Sequence, residues 1–201
     1  MNNPSYGFLA LAMRQSLIKR WSIMHSLRPE SVLEHSAIVS LLAMLTGHIA
    51  QQLGKEVSIE KMISHALVHD LEEILRGDVI TPVKKATPAI ESEFKKLAHS
   101  AEEQLLKTLP DSLKGIVEES FNPGGYEQRL VKACDVYAAY IKCKLEVSAG
   151  NSVEFGDALR KTEETLQKVK YEHPEIVVLD TWFGDGFGQS VDQLLSGGSD
   201  V

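Results

Sequence analysis

The sequence predicts an all-α fold in a single compact domain, and three observations carry that expectation. Apolar residues recur at helical rather than alternating spacing through most of the 201 residues. Ser, Gly and Pro fall between these segments where helices start and stop. No internal repeat and no long linker divides the chain. A composition of 43% hydrophobic and 24% charged residues is ordinary for a soluble protein and excludes wholesale disorder.

Each element follows from local signals. Phe8 to Lys19 carries Phe8, Leu9, Leu11, Ala12 and Ile18, a mostly helical pattern. A connector from Arg20 to about Glu30 closes at Arg28-Pro29, because the residue before proline is biased out of helix. Ser31 is an N-cap for a long helix through Leu53, ended by Gly54. Ser58 caps the next, with Ile59, Met62, Ile63, Ala66 and Leu67 on its buried face and Gly77 as its stop. Pro82 and Pro88 bracket a loop, and Pro88 opens a helix to Leu109, stopped by Pro110. Asp111 begins a short helix ending near Asn122. Tyr126 to Ala149 and Ser152 to Tyr171 form two more. Glu175 to Leu195, with Ile176 to Leu179, reads as helix or short strand, and the end from Ser196 as a frayed tail. One domain over residues 1–201, with its core at about 17–171, is expected.

Charge and cysteine usage narrow the function. Twenty-eight acids against 21 Lys and Arg give a formal charge of -7, poorly suited to long nucleic acid. A small phosphate ester remains compatible if a metal or a local basic group supplies positive charge. Met1 to Ala10 has no basic region leading into an apolar stretch, so no secretory signal is expected. Ala37 to Ala50 is interrupted by Ser40, Thr46 and His48 and reads as a core helix, not a membrane span. Cys134 and Cys143 sit nine positions apart in one helix, about 13 Å at 1.5 Å per residue, too far for a bridge. Both are expected reduced, consistent with a cytoplasmic location.

The chemistry concentrates at a few positions. His69 and Asp70 lie about 100° apart on a helix, and Glu73 projects from the same side. Alone, such a set is most often a solvated polar face. Upstream, Glu34-His35-Ser36 places a histidine in the first turn of a long helix. Downstream, Gly77-Asp78-Val79-Ile80-Thr81-Pro82 forms a tight polar loop. Asp135 is a lone acid among Leu130, Val131, Val136 and Ala138, and an unpaired buried charge is costly. His35, His69, Asp70 and Asp135 together would make a site of two imidazoles and two carboxylates.

These positions resemble the HD-domain metal-dependent phosphohydrolases, whose motif is a histidine, a histidine-aspartate pair and a distant aspartate. The chain is most similar to the bacterial 5'-deoxynucleotidases of that superfamily. The matching stretches are Arg20-Trp21, Glu34-His35-Ser36, His69-Asp70 with Glu73, Gly77-Asp78 with Thr81-Pro82, and Leu130 through Asp135 to Cys143. The similarity runs in order from about Leu17 to Phe155 and is less clear after Tyr171.

The resemblance implies an HD-domain helical bundle that hydrolyses deoxyribonucleoside 5'-monophosphates with broad tolerance of the base. It implies His35, His69, Asp70 and Asp135 as ligands of one divalent cation, and mixed nitrogen and oxygen ligation suits cobalt, manganese, zinc or iron. Glu73 would orient or deprotonate the attacking water. Arg20 offers a planar charged fork for phosphate, and Trp21 would pack at the sugar's 2' carbon. Asp70, Asp78, Val79, Ile80, Thr81 and Asp135 complete the expected substrate contacts. The related enzymes imply a homodimer. Two other readings stay open: HD-type hydrolysis of cyclic, triphosphate or alarmone nucleotides, and a metal-containing binding module without turnover.

Several features read as inert. His65 and His69 share the spacing of a zinc peptidase pair, but Ala66 stands where such enzymes need Glu, so His65 reads as packed. His25, His48, His99 and His173 read as surface or core-edge groups, and Glu72 as solvated. Lys84-Lys85 and Lys95-Lys96 read as solvated helix ends, either able to edge a phosphate pocket. Asp185 to Gly188 lacks the lysine of a P-loop.

Overall fold

A computed structural model describes residues 5–196, and every regular element among them is helical. In chain order these are α1 (Phe8–Ala12), a 3-10 turn (Met13–Leu17), α2 (Val32–Gln52), α3 (Ile59–Val68), α4 (Glu73–Arg76), α5 (Thr81–Lys84) and α6 (Pro88–Leu106). There follow α7 (Asp111–Phe121), α8 (Gly125–Ser148), α9 (Ser152–Glu172), α10 (Pro174–Phe183), a second 3-10 turn (Gly184–Gly188) and α11 (Val191–Ser196). Extended pairing among the described residues is one isolated bridge between Lys19 and Ser31.

The centre of the bundle is α2. It packs on α3, α8 and α10, and Val39, Leu42 and Ala43 meet Met62 and Ala66 of α3 and Leu130, Tyr137 and Ile141 of α8. By length and composition alone α2 could cross a membrane, but half of its most apolar window is buried here against the other helices. Its start is fixed locally. Ser31 Oγ accepts from the Glu34 amide at 3.2 Å, while Glu34 Oε2 accepts from the Ser31 amide at 2.7 Å, a reciprocal cap. Ser58 caps α3 in the same sense, accepting from the Lys61 amide at 3.3 Å. A second apolar cluster, Leu71, Leu105 and Phe121 with Phe8 and Leu11, seats α1 and α6 beside the turn that follows α3.

The structure departs from the sequence reading in several places. The first segment is α-helix only to Ala12 and a 3-10 turn to Leu17, since Ile18 and Lys19 turn extended to pair beside Ser31. The segment expected to run unbroken from Ile59 to Arg76 is two helices with a turn between them. Leu67 is half exposed, because the buried stripe of α3 runs through Met62, His65 and Ala66. The loop between the prolines contains α5, and the helix from Pro88 ends at Leu106. The stretch after Glu175 is helical, with no strand. The expected tail beyond Ser196 lies outside the described residues.

Gly47 sets the closest approach of α2 and α3. A Cβ there would stand 2.9 Å from Ile59 Cγ1 and 3.3 Å from Met62 Sδ. Gly47→Leu should therefore force the two helices apart and lower stability by about 1–3 kcal/mol, read as a reduced urea midpoint with unchanged helical content.

Candidate active site

His35, Asp135, His69 and Asp70 meet where α2, α8 and the end of α3 converge. His35, wholly buried in the first turn of α2, places Nε2 3.0 Å from Asp135 Oδ1 on α8. It also lies 4.0 Å from Asp70 Oδ2, and His69 Nε2 lies 3.3 Å from the same oxygen. One ligand atom each from His35, His69 and Asp135 falls within a 4.8 Å circle of mutual distances. The lone acid that the sequence left without a partner thus has two, His35 and Lys132, whose Nζ is 2.6 Å from Asp135 Oδ2.

The protonation pattern of this cluster fits a divalent cation. His69 Nδ1 lies 2.7 Å from the Ala66 carbonyl, which can only accept, so that nitrogen carries the proton. In the neutral ring its Nε2 is then a lone pair, buried and without a hydrogen-bond partner, facing a carboxylate. Two lone pairs at that distance repel unless a proton or a cation stands between them. Burial opposes charging His69, but Asp70 and Asp135 outweigh it and push its pKa up to about 9. Burial likewise opposes ionising Asp70 and Asp135, yet His69 holds the first below the usual carboxylate range, and Lys132 with His35 the second. A backbone carbonyl fixing the far nitrogen of an imidazole is also how ligand histidines are commonly oriented.

The break after α3 creates this geometry. In a continued helix the Asp70 amide would bond the Ala66 carbonyl, but the His69 ring takes that acceptor. The chain instead tightens through Leu71 N to Val68 O at 2.9 Å and Glu73 N to Asp70 O at 3.2 Å. Glu73 therefore opens α4 rather than standing one turn along an unbroken helix. The same change of register corrects the reading of Glu72, which is buried and bonded to Arg76, not solvated. Glu73 is almost wholly buried too. Burial, then the charge of Asp70, raise its pKa to about 7 against the pull of Lys84. Lys84 Nζ is 3.0 Å from Glu73 Oε1 and 3.5 Å from Asp78 Oδ1. His65 is packed as expected, its Nδ1 on the Ser120 carbonyl at 2.9 Å, whereas His173 is buried.

Six of the eight expected substrate residues line a common cavity, and Asp70 and Asp135 do not. Arg20, Trp21, Asp78, Val79, Ile80 and Thr81 surround a space of about 360 Å³. His69, Asp70 and Asp135 open instead on an adjoining cavity of about 480 Å³. Arg20 joins the two, with Nη1 3.1 Å from Asp70 Oδ2. Trp21 is held at φ 56°, in the left-handed region where a bulky side chain costs about 1–3 kcal/mol. Glu30 helps to hold it there, accepting from Trp21 Nε1 at 3.2 Å, and lies 3.6 Å from both Arg20 Nε and His35 Nδ1.

The profile of the YfbR-like 5'-deoxynucleotidases matches residues 7–183. The chain belongs to this family. A 5'-deoxynucleotidase of Vibrio atlanticus is 35% identical over 93% of this chain and 97% of its own length. The 5'-deoxynucleotidase YfbR of Salmonella newport is 37% identical over 80% of this chain and 82% of its own. Among solved structures, an HD-domain phosphohydrolase from Listeria innocua superposes with a TM-score of 0.78 at 20% identity, covering 90% of this chain and 87% of that one. A cyanophage S-2L HD phosphohydrolase, bound to dA and one catalytic Zn2+ ion, gives 0.64 at 24% identity over 90% and 96% of the two chains. At these identities the likeness establishes the HD-domain fold.

In this family member the Arg20–Trp21 connector is pinned to α8 by a residue the sequence reading passed over. Glu146 is fully buried and accepts from Ser26 Oγ at 3.1 Å, the Leu27 and Arg28 amides at 2.9 Å each, and Asn151 Nδ2 at 2.8 Å. Lys142 completes the set at 2.6 Å and also bonds the Arg28 carbonyl. The one sequence signal was the Lys142–Glu146 spacing, which also describes an ordinary surface pair. Burial opposes ionisation, but these bonds, Lys142 first, bring the Glu146 pKa down to about 2. A lowered folded pKa means stabilisation that is full above the ordinary 4.5 and is lost as pH falls toward about 2. Glu146→Ala should lower stability at neutral pH by about 3–5 kcal/mol, by leaving Lys142 buried and unpaired. It should also flatten the stability profile in that acid window, read by urea denaturation across a pH series.

Proposed function

We propose that the protein is a metal-dependent 5'-deoxynucleotidase that hydrolyses deoxyribonucleoside 5'-monophosphates to deoxynucleoside and phosphate. The observation that carries this reading is the meeting of two imidazoles and two carboxylates beside a cavity walled by Arg20, Trp21 and the Asp78–Thr81 segment. His35, His69, Asp70 and Asp135 would hold one divalent cation, and the mixed donor set favours a first-row transition ion such as cobalt, manganese, zinc or iron. When bound, such an ion lowers the proton affinity of a coordinated water and neutralises charge on a phosphoryl oxygen.

The protein's own groups do the rest. Glu73, with a pKa near neutrality, accepts the proton of the attacking water. Arg20 binds the phosphate by its guanidinium fork. Trp21, fixed in its strained backbone and packed 5.5 Å from the Phe155 ring, blocks the space a 2' hydroxyl needs. Asp78 and Thr81 hydrogen-bond the sugar, with the Val79–Ile80 backbone between them. The reading keeps broad tolerance of the base, with Glu154, Asp157 and Lys161 of α9 also lining this cavity.

Metal-loaded protein should release phosphate faster from deoxyadenosine monophosphate than from adenosine monophosphate or a cyclic nucleotide, in a phosphate-release panel run after chelation and metal add-back. Equal rates on ribo- and deoxyribonucleotides would remove the role given to Trp21. Glu73→Gln should retain metal and lose about 10²–10⁴ in kcat. Asp70→Ala should lose both metal and turnover.

The same reading takes the protein as a homodimer. Ile38 and Leu41 of α2 are half exposed, beside a largely apolar cleft of about 360 Å³ that includes Ala37, Ala138, Ile141 and Leu145. Sedimentation should give a dimer that Leu41→Asp converts to monomer; a monomeric wild type would refute the assembly.

A further inference from the structure

We propose that Lys84 is a positioning residue for the hydrolysis, one that immobilises Glu73 by one carboxylate oxygen and reserves the other for the proton of water. The inference rests on the nucleotidase reading and deepens it. Lys84 closes α5, the short helix that follows the Asp78–Ile80 wall of the Trp21 cavity. Its ammonium reaches back across the loop to Glu73 Oε1 at 3.0 Å and to Asp78 Oδ1 at 3.5 Å. Arg76 Nη2 approaches the same Glu73 oxygen at 3.4 Å, but its closer partner is Glu72.

The two oxygens of Glu73 are therefore unequal. Oε1 faces both cations, whereas Oε2 is buried and has no hydrogen-bond partner among the described residues. A buried carboxylate oxygen without a partner costs free energy unless something it serves arrives there. The arrangement suits a base whose working oxygen must stay open while its orientation is fixed. Lys84 supplies the fixing charge from a side chain that is only 27% exposed, where Coulomb attraction is weakly screened.

The step balances without a further reactant. One O–H bond of water breaks and its proton passes to Glu73 Oε2. The electron pair left on the oxygen forms the bond to phosphorus. The P–O5' bond breaks with its pair on the 5' oxygen, and the proton held by Glu73 is returned to that oxygen, giving deoxynucleoside and phosphate. Lys84 transfers nothing; it holds the carboxylate through both proton movements. Because it binds neither metal nor phosphate in this role, its removal should be felt in turnover rather than in affinity.

The test compares full-length, metal-loaded wild type with Lys84→Met and Lys84→Arg on deoxyadenosine monophosphate. Lys84→Met should lose about tenfold to hundredfold in kcat, a part of what a general base contributes, with KM unchanged within about twofold. Metal content by elemental analysis should stay at the wild-type level. Lys84→Arg, which keeps the charge, should recover most of the rate. In a Glu73→Gln background, Lys84→Met should cost less than about twofold more, because the two residues act as one unit. A raised KM with kcat intact would overturn the proposal in favour of a direct substrate contact. Wild-type rates in Lys84→Met, or full additivity with Glu73→Gln, would also overturn it. A wild type that hydrolyses a different phosphate ester overturns the substrate reading alone, since the same comparison is then made on that ester.

Discussion

The structure depends on keeping Asp70 and Asp135 ionised inside a helical bundle. Both carboxylates are largely withdrawn from solvent where α2, α8 and the end of α3 meet, and an uncompensated charge there is costly. Compensation comes from four directions: His35 from α2, His69 beside Asp70, Lys132 one turn earlier on α8, and Arg20 from the connector. Well-packed apolar residues would serve stability as well or better, so stability does not explain the cluster. Asp70 and Asp135 raise the proton affinity of His69, in keeping with a site that attracts positive charge. A cation satisfies that demand with a charge that does not depend on pH.

Unusual backbone gathers around the same point, for a common reason. A regular helix cannot present His69, Asp70 and Glu73 to different partners at once. The turn between α3 and α4 separates them, with the His69 ring taking the carbonyl that would have continued the helix. Trp21 in the left-handed region and Gly77 at φ 76° bound the two loops that carry Arg20 and Asp78. Strain of this kind persists only where the surroundings over-determine it. Here Glu30 holds the head of the connector from within and Glu146 holds its far end on α8. The positions of Arg20 and Trp21 are thus set by two buried acids, Glu30 and Glu146, that lie outside the group formed by His35, His69, Asp70 and Asp135.

What could be read in the sequence follows from the range of the interactions. Ser31, Ser58, Gly54 and Gly77 mark helix ends through bonds or torsions within a few residues, and each does so here. The order His35, His69-Asp70, Asp135 was legible as the motif of a resembling family, and the structure brings these side chains together. The end of the first helical segment, at the close of the 3-10 turn at Leu17, was not, since it follows from pairing Lys19 with Ser31 across the connector. Nor was the break at His69, which replaces one carbonyl partner with another and leaves the apolar pattern intact. That break carried the error on Glu72, whose burial depends on the register of α4 rather than of α3. Lys84 read as a solvated helix end and Glu146 was passed over, because their partners, eleven residues back in one case and across the connector in the other, are invisible to local spacing.

An acidic chain that handles a phosphate dianion must concentrate its cations. Most basic side chains here lie on exposed surface, and exposed pairs such as those of Lys95 and Lys96 on α6 contribute little. Arg20, Lys84 and Arg76 are withdrawn from solvent, each against a carboxylate of the site. Such pairs give fixed positions at the cost of competition. Arg20 cannot give its full charge to a phosphate while Asp70 holds it at 3.1 Å. A positive charge placed among His35, His69 and Asp135 competes with Arg20 for Asp70, and an anion at Arg20 competes with Asp70 for the guanidinium. Filling either position therefore lowers the free energy of filling the other, and linkage requires the effect to be the same in both directions.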